Sequence, residues 1–69
     1  MNREKFRETV IARIRKGSSA HPGTCTTAAL VGKTFQKRFG ASDVALETEL
    51  TAMVKDGLIV CTSGQWWNR

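Results

Sequence analysis

Helical hydrophobic spacing stops at Lys55-Asp56-Gly57, and a β pattern takes over. Before that point Leu46, Leu50, Met53, Val54 and Gly57 recur at the intervals of one helix face. After it, Leu58-Ile59-Val60-Cys61 is a short β-rich run, Thr62-Ser63-Gly64 a turn, and Gln65-Trp66-Trp67 a return strand. Helices first and a hairpin last is the order of an α+β fold.

Two further helices are expected upstream. From about Arg3 to Lys16, Phe6, Val10 and Ile14 are spaced by four and Ile11 joins their face. Asn2 caps this helix and Gly17 closes it. Gly17 to Thr24 is rich in turn formers, and Thr24-Cys25-Thr26 reads as a very short extended piece. Thr26 or Thr27 then caps a second helix running roughly to Arg38, with Ala28, Val31, Phe35 and Phe39 on one face. Gly32 lies inside it, at a cost of about 1 kcal/mol relative to Ala, and so marks close approach of another element. Phe39-Gly40-Ala41 is a tight turn. Ser42 caps the third helix, with Asp43 in its first turn, where the dipole favours an anion. The core expected from these spacings is Phe6, Val10, Ile14, Val31, Phe35, Leu46, Leu50, Met53 and Leu58.

Size narrows the function. With 69 residues the chain is read as a single domain spanning 1–69. A domain this short buries only about 60% of the surface its unfolded chain exposes. One small core leaves little room for a deep catalytic pocket, and no nucleophile–base pair or carboxylate pair stands out, so no enzyme is expected. Cys25 and Cys61 are too few for a disulfide framework, and with the lone His21 they fall short of a zinc set. The thiols are expected to be free, and no metal or cofactor is expected. The run Leu58 to Cys61 is far below the ~20 residues of a membrane span. Met1-Asn2-Arg3-Glu4-Lys5 leads into no signal-peptide core. The expected location is the cytoplasm, away from any membrane.

Net charge is +5, unevenly spread. Residues 1–40 carry +7, and residues 41–69 carry −2. A basic surface points to an anionic partner, nucleic acid first.

Helix, short strand, helix, tight turn, helix and hairpin resembles the winged helix-turn-helix superfamily over nearly the whole chain. The closest-fitting stretch is Leu50-x-x-Met53-Val54-x-x-Gly57-Leu58-Ile59 with Gly64-Gln65-Trp66 after it. Thr27-x-x-Leu30 and Ala41-Ser42 look like the starts of that superfamily's second and third helices. The resemblance implies a small winged helix: three helices, a C-terminal β-hairpin wing and a short strand before helix 2. Some small winged-helix proteins also end in paired Trp, and one such group holds an iron–sulfur cluster through extra wing cysteines. This wing has only Cys61, so no cluster carries over.

The resemblance implies double-stranded DNA as partner and a role in transcription regulation, with helix 3 in the major groove and the wing beside it. It points to Ser42, Asp43, Val44, Ala45 and Thr48 as groove-facing positions. Bases are read best by Arg, Lys, Asn and Gln, and none occurs from Gly40 to Val54. Thr48 can donate or accept, and Ala45 can touch a thymine methyl. Asp43, Glu47 and Glu49 would face a polyanion, so a plain solvated face competes with base reading. Lys33, Lys37 and Arg38 in helix 2 are the sharper phosphate candidates, with Lys5, Arg13 and Lys16 as a second stripe. Arg7 lies near the core stripe, its stem packed and its head reaching water. Ser63 and Gln65 offer neutral donors at the hairpin tip. Adjacent Trp66 and Trp67 must point to opposite sheet faces, one into the core and one outward. The alternative is a protein-interaction module that meets a protein partner or a second copy through Glu47, Glu49, Trp66 and Trp67. Gly32-Lys33-Thr34 matches the end of a P-loop, but Thr27 stands where the earlier glycine belongs, and the segment reads as mid-helix.

Overall fold

The computed structural model describes residues 1–69. The order is α1 (Arg3–Lys16), β1 (Thr24–Thr26), α2 (Thr27–Val31), α3 (Lys33–Phe39), α4 (Asp43–Lys55), β2 (Ile59–Thr62) and β3 (Gln65–Asn68). The architecture is α+β, and its C-terminal hairpin fits the wing. β1 joins that hairpin to make a three-stranded antiparallel sheet in the order β1-β3-β2.

Helix α1 starts and stops where its sequence says. The Asn2 side chain accepts from the Lys5 N–H, and the Gly17 N–H donates back to the Arg13 carbonyl. Gly17 has φ +56°, and a Cβ there would lie 2.3 Å from the His21 carbonyl oxygen. Only glycine fits both the left-handed φ and that approach. At the far end of α4, Leu58 N–H donates to Met53 O and Gly57 N–H to Val54 O, a Schellman closure that sends the chain into β2.

The expected second helix is broken. Gly32 is extended, with ψ 177°, so α2 and α3 are separate segments. The Gln36 side chain donates to the Val31 carbonyl at 2.8 Å and takes up one acceptor that the break frees. A Cβ on Gly32 would stand 2.6 Å from the Ala28 carbonyl oxygen. The close approach is therefore to its own preceding turn and not to another element. Gly32-Lys33-Thr34 sits at this break instead of mid-helix, and the helix α2 precedes it where a P-loop needs a strand.

The break also changes the phase of the core. Leu30 is fully buried, whereas Val31 is half-buried and Ala28 exposed. Ile59 is fully buried, whereas Leu58 is half-buried, because β2 begins at Ile59 and turns that first side chain to the core. Phe6, Val10, Ile14, Phe35, Leu46, Leu50 and Met53 form the core as expected, with Cys25 and Trp66 added. Phe6 meets Phe35 and Phe39 edge-on, with ring centroids 6.1 and 5.3 Å apart, and so joins α1 to α3.

In the sheet, Cys25 and Cys61 both stand opposite Trp66, one on each side of β3. Two strand spacings, about 9–10 Å, separate them. A disulfide requires Cα atoms within about 7 Å, so both thiols are free, Cys25 buried and Cys61 exposed. Trp66 is 8% exposed and its indole N–H donates to Thr27 Oγ1 at 2.8 Å. Trp67 faces the other way and is 41% exposed. The hairpin turns on Ser63 and Gly64, both with positive φ, the two-residue turn whose twist matches antiparallel strands.

Candidate nucleic-acid interface

Helix α4 begins at Ser42, whose side-chain oxygen accepts from the Ala45 N–H at 3.2 Å. Leu46, Glu49, Leu50 and Met53 turn inward. Val44, Ala45, Glu47, Thr48, Thr51 and Lys55 turn outward, with Val44 68% exposed. The Thr48 and Thr51 hydroxyls donate to the carbonyls one turn earlier, Val44 at 2.9 Å and Glu47 at 3.0 Å. Their methyl groups therefore join Val44 and Ala45 in a surface richer in methyls than in free donors. Such a face suits thymine methyls better than base-edge hydrogen bonding.

Glu49 is not part of that face. It is 6% exposed, contrary to its expected place on an acidic outer surface. Arg3 Nε lies 2.8 Å from its Oε1 and Arg7 Nε 2.7 Å from its Oε2. Arg7 Nη1 also reaches Asp56 Oδ2 at 2.9 Å, so its head is engaged and does not simply project into water. Burial on its own would raise the Glu49 pKa. The hydrogen bonds from Arg7 and Arg3, aided by their charges, outweigh that and hold it below the usual carboxylate range. These contacts tie the start of α1 to α4 and pair two carboxylates, Glu49 buried and Asp56 still exposed.

The remaining cations are distributed differently. Arg3–Glu49, Arg7–Glu49 and Arg7–Asp56 are the ion pairs of the chain. From Thr9 through Ser42 the sequence has no Asp or Glu, yet it carries Arg13, Arg15, Lys16, Lys33, Lys37 and Arg38. Lys33, Lys37 and Arg38 are all exposed on α3. Lys33 and Lys37, one turn apart, share a face. The Arg38 guanidinium sits 5.7 Å from the Phe39 ring centroid.

The hairpin brings only part of the expected set to its tip. Ser63 is there and exposed. Gln65 is half-buried at the start of β3, opposite Thr62 and Thr26, and its Oε1 accepts from the Thr24 hydroxyl at 3.2 Å. It faces a groove that Arg13 also lines. Of the residues assigned to a protein-contacting surface, Glu49 and Trp66 are buried, while Glu47 and Trp67 remain accessible.

Sequence reasoning placed Arg13 in an exposed stripe with Lys5 and Lys16. The structure half-buries it and turns it toward α2 and β1, where its Nη1 donates to the Gly17 carbonyl at 3.0 Å. The acid-free run around it was the available signal. No helix is long and apolar enough to cross a membrane. Comparison with protein families, with curated proteins and with solved structures gives no match.

Proposed function

We propose that this chain is a small winged-helix protein that binds double-stranded DNA and regulates transcription through that binding. The cations between Thr9 and Ser42 hold the phosphate backbone, and the methyl-rich face of α4 lies against the major groove. The observation that carries this reading is the separation of charges. Glu49 and Asp56 are paired with Arg3 and Arg7, while the six cations of the acid-free segment have no carboxylate partner. Contact of this kind is governed by phosphates and is weakly selective for sequence.

Fluorescence anisotropy with a mixed-sequence duplex, repeated across salt concentrations, tests it. The expected result is binding at low salt, with log K falling linearly against log salt. Absence of binding to any duplex at low salt would contradict it. A protein-interaction module working through Glu47 and Trp67 would then be the better reading.

A further inference from the structure

Lys33 and Arg13 both line a groove of ≈ 470 Å³, together with Gly32 and Thr34. A second, smaller concavity shares Arg13 and Ala29 with it and is also lined by His21, Cys25, Thr26 and Gln65. No Asp or Glu lines either one. Glu8 lies on the same helix as Arg13, but five residues away it stands roughly 140° round the axis. Two cations thus face one concave surface with no internal counter-charge.

We propose that this surface, between the end of α1 and the α2–α3 break, is a phosphate-binding subsite with Arg13 and Lys33 as its cations. It rests on the duplex-binding reading in one respect: a backbone phosphodiester is the occupant that reading supplies. A free phosphorylated small molecule presents the same chemistry.

The arrangement favours an oxyanion over a neutral ligand. Arg13 is anchored by Nη1 on the Gly17 carbonyl, which leaves its Nε and Nη2 donors for a ligand. A guanidinium offers them in a planar fork matched to phosphate oxygens. Gly17 itself admits no side chain, so the loop that carries the anchoring carbonyl is held by backbone packing. The Lys33 ammonium and the Thr34 hydroxyl make no hydrogen bond or ion pair within the protein. The thiol nearest Arg13 does not compete: burial raises the Cys25 pKa against the smaller pull of the Arg13 charge, so the sulfur stays protonated and neutral. In the smaller concavity, Gln65 spends its Oε1 on Thr24 and keeps its Nε2 donors. Apart from the His21 ring and the Cys25 thiol in the smaller concavity, the side-chain polar groups free along this surface are donors or hydroxyls.

The test is an amide and arginine side-chain NMR titration of the full chain and of Arg13→Gln. The ligands are inorganic pyrophosphate and a short mixed-sequence duplex, with sodium chloride at matched ionic strength as control. Pyrophosphate should shift the Arg13 Nε–H and the Lys33 and Thr34 amides, chloride should not, and Arg13→Gln should abolish those shifts while keeping the dispersed spectrum of a folded chain. The duplex should shift the same resonances, and Arg13→Gln should lower the salt slope of duplex binding by about one unit. A duplex that binds with the groove resonances silent and the slope unchanged in Arg13→Gln would overturn the subsite and leave the duplex reading standing. Pyrophosphate shifts in the groove without duplex binding would do the reverse and identify a free phosphorylated ligand. Equal shifts from chloride, or none from either phosphate, would overturn the subsite.

Discussion

The two ends of α1 carry the same residue type to opposite uses. At its start, Arg3 and Arg7 turn onto Glu49 and Asp56 and spend their charge inside the molecule. At its end, Arg13, Arg15 and Lys16 meet no carboxylate, and neither do Lys33, Lys37 and Arg38 on α3. The contrast teaches that net charge and available charge are different quantities. Two arginines and two acids cancel at one end, so the whole +5 of the chain is presented by the other cations against the four unpaired acids. What an incoming polyanion meets is set by which pairs the fold has already closed.

Both ends depend on one core, so the largest expected effect breaks both together. Leu50 is fully buried at the centre of the α4 face. Leu50→Ala should cost about 2–5 kcal/mol, a large part of the stability of so small a domain. Thermal unfolding followed by circular dichroism measures it, and unchanged melting would mean that α4 packs in another register.

A smaller change should act first on the basic end. Gly17→Ala forces a side chain into a left-handed backbone and onto the His21 carbonyl. Strain of this kind costs about 1–3 kcal/mol. Denaturant unfolding should show the loss, and amide shifts should concentrate from Arg13 to Thr26 while the Arg3–Glu49 contact keeps its resonances. Shifts spread evenly over both ends would erase the distinction drawn between them.

The paired end should show itself through pH. Glu49 has a lower pKa folded than unfolded, so its stabilisation is complete above the ordinary glutamate value, about 4.3. It is lost as pH falls through the lowered folded value. Glu49→Gln should therefore melt lower than the parent at pH 7, and the gap should shrink in acid. Parallel stability curves for the two proteins from pH 7 to pH 2 would show that Glu49 is not held by the two arginines.

Much of this was legible in the sequence, for local reasons. The Phe6, Val10, Ile14 and Leu46, Leu50, Met53 spacings, the Asn2 and Ser42 caps and the Ser63-Gly64 turn each act within a few residues. The misplacements came from longer reach. Gly32 is tolerable inside a helix, and only the freed Val31 carbonyl, taken by Gln36, shows that the chain stops there. Once the helix breaks, its phase no longer predicts the next face, which is how Leu30 displaced Val31 in the core. Glu49 looked like a surface acid because its partners are 46 and 42 residues away. Arg13 looked like a surface cation because the groove it lines is assembled from α2, α3 and the sheet.

The most direct test compares the salt dependence of duplex affinity in two folded variants that each lose positive charge. One is Arg3→Gln with Arg7→Gln, and the other is Lys33→Gln, Lys37→Gln and Arg38→Gln. The second should lower the slope of log K against log salt by about three units and leave melting almost unchanged. The first should lower the melting temperature and leave the slope where it was, because its charges were already spent on Glu49 and Asp56. A slope that falls with the first variant, or stays constant with the second, would contradict the division of the molecule into a closed and an available set of charges.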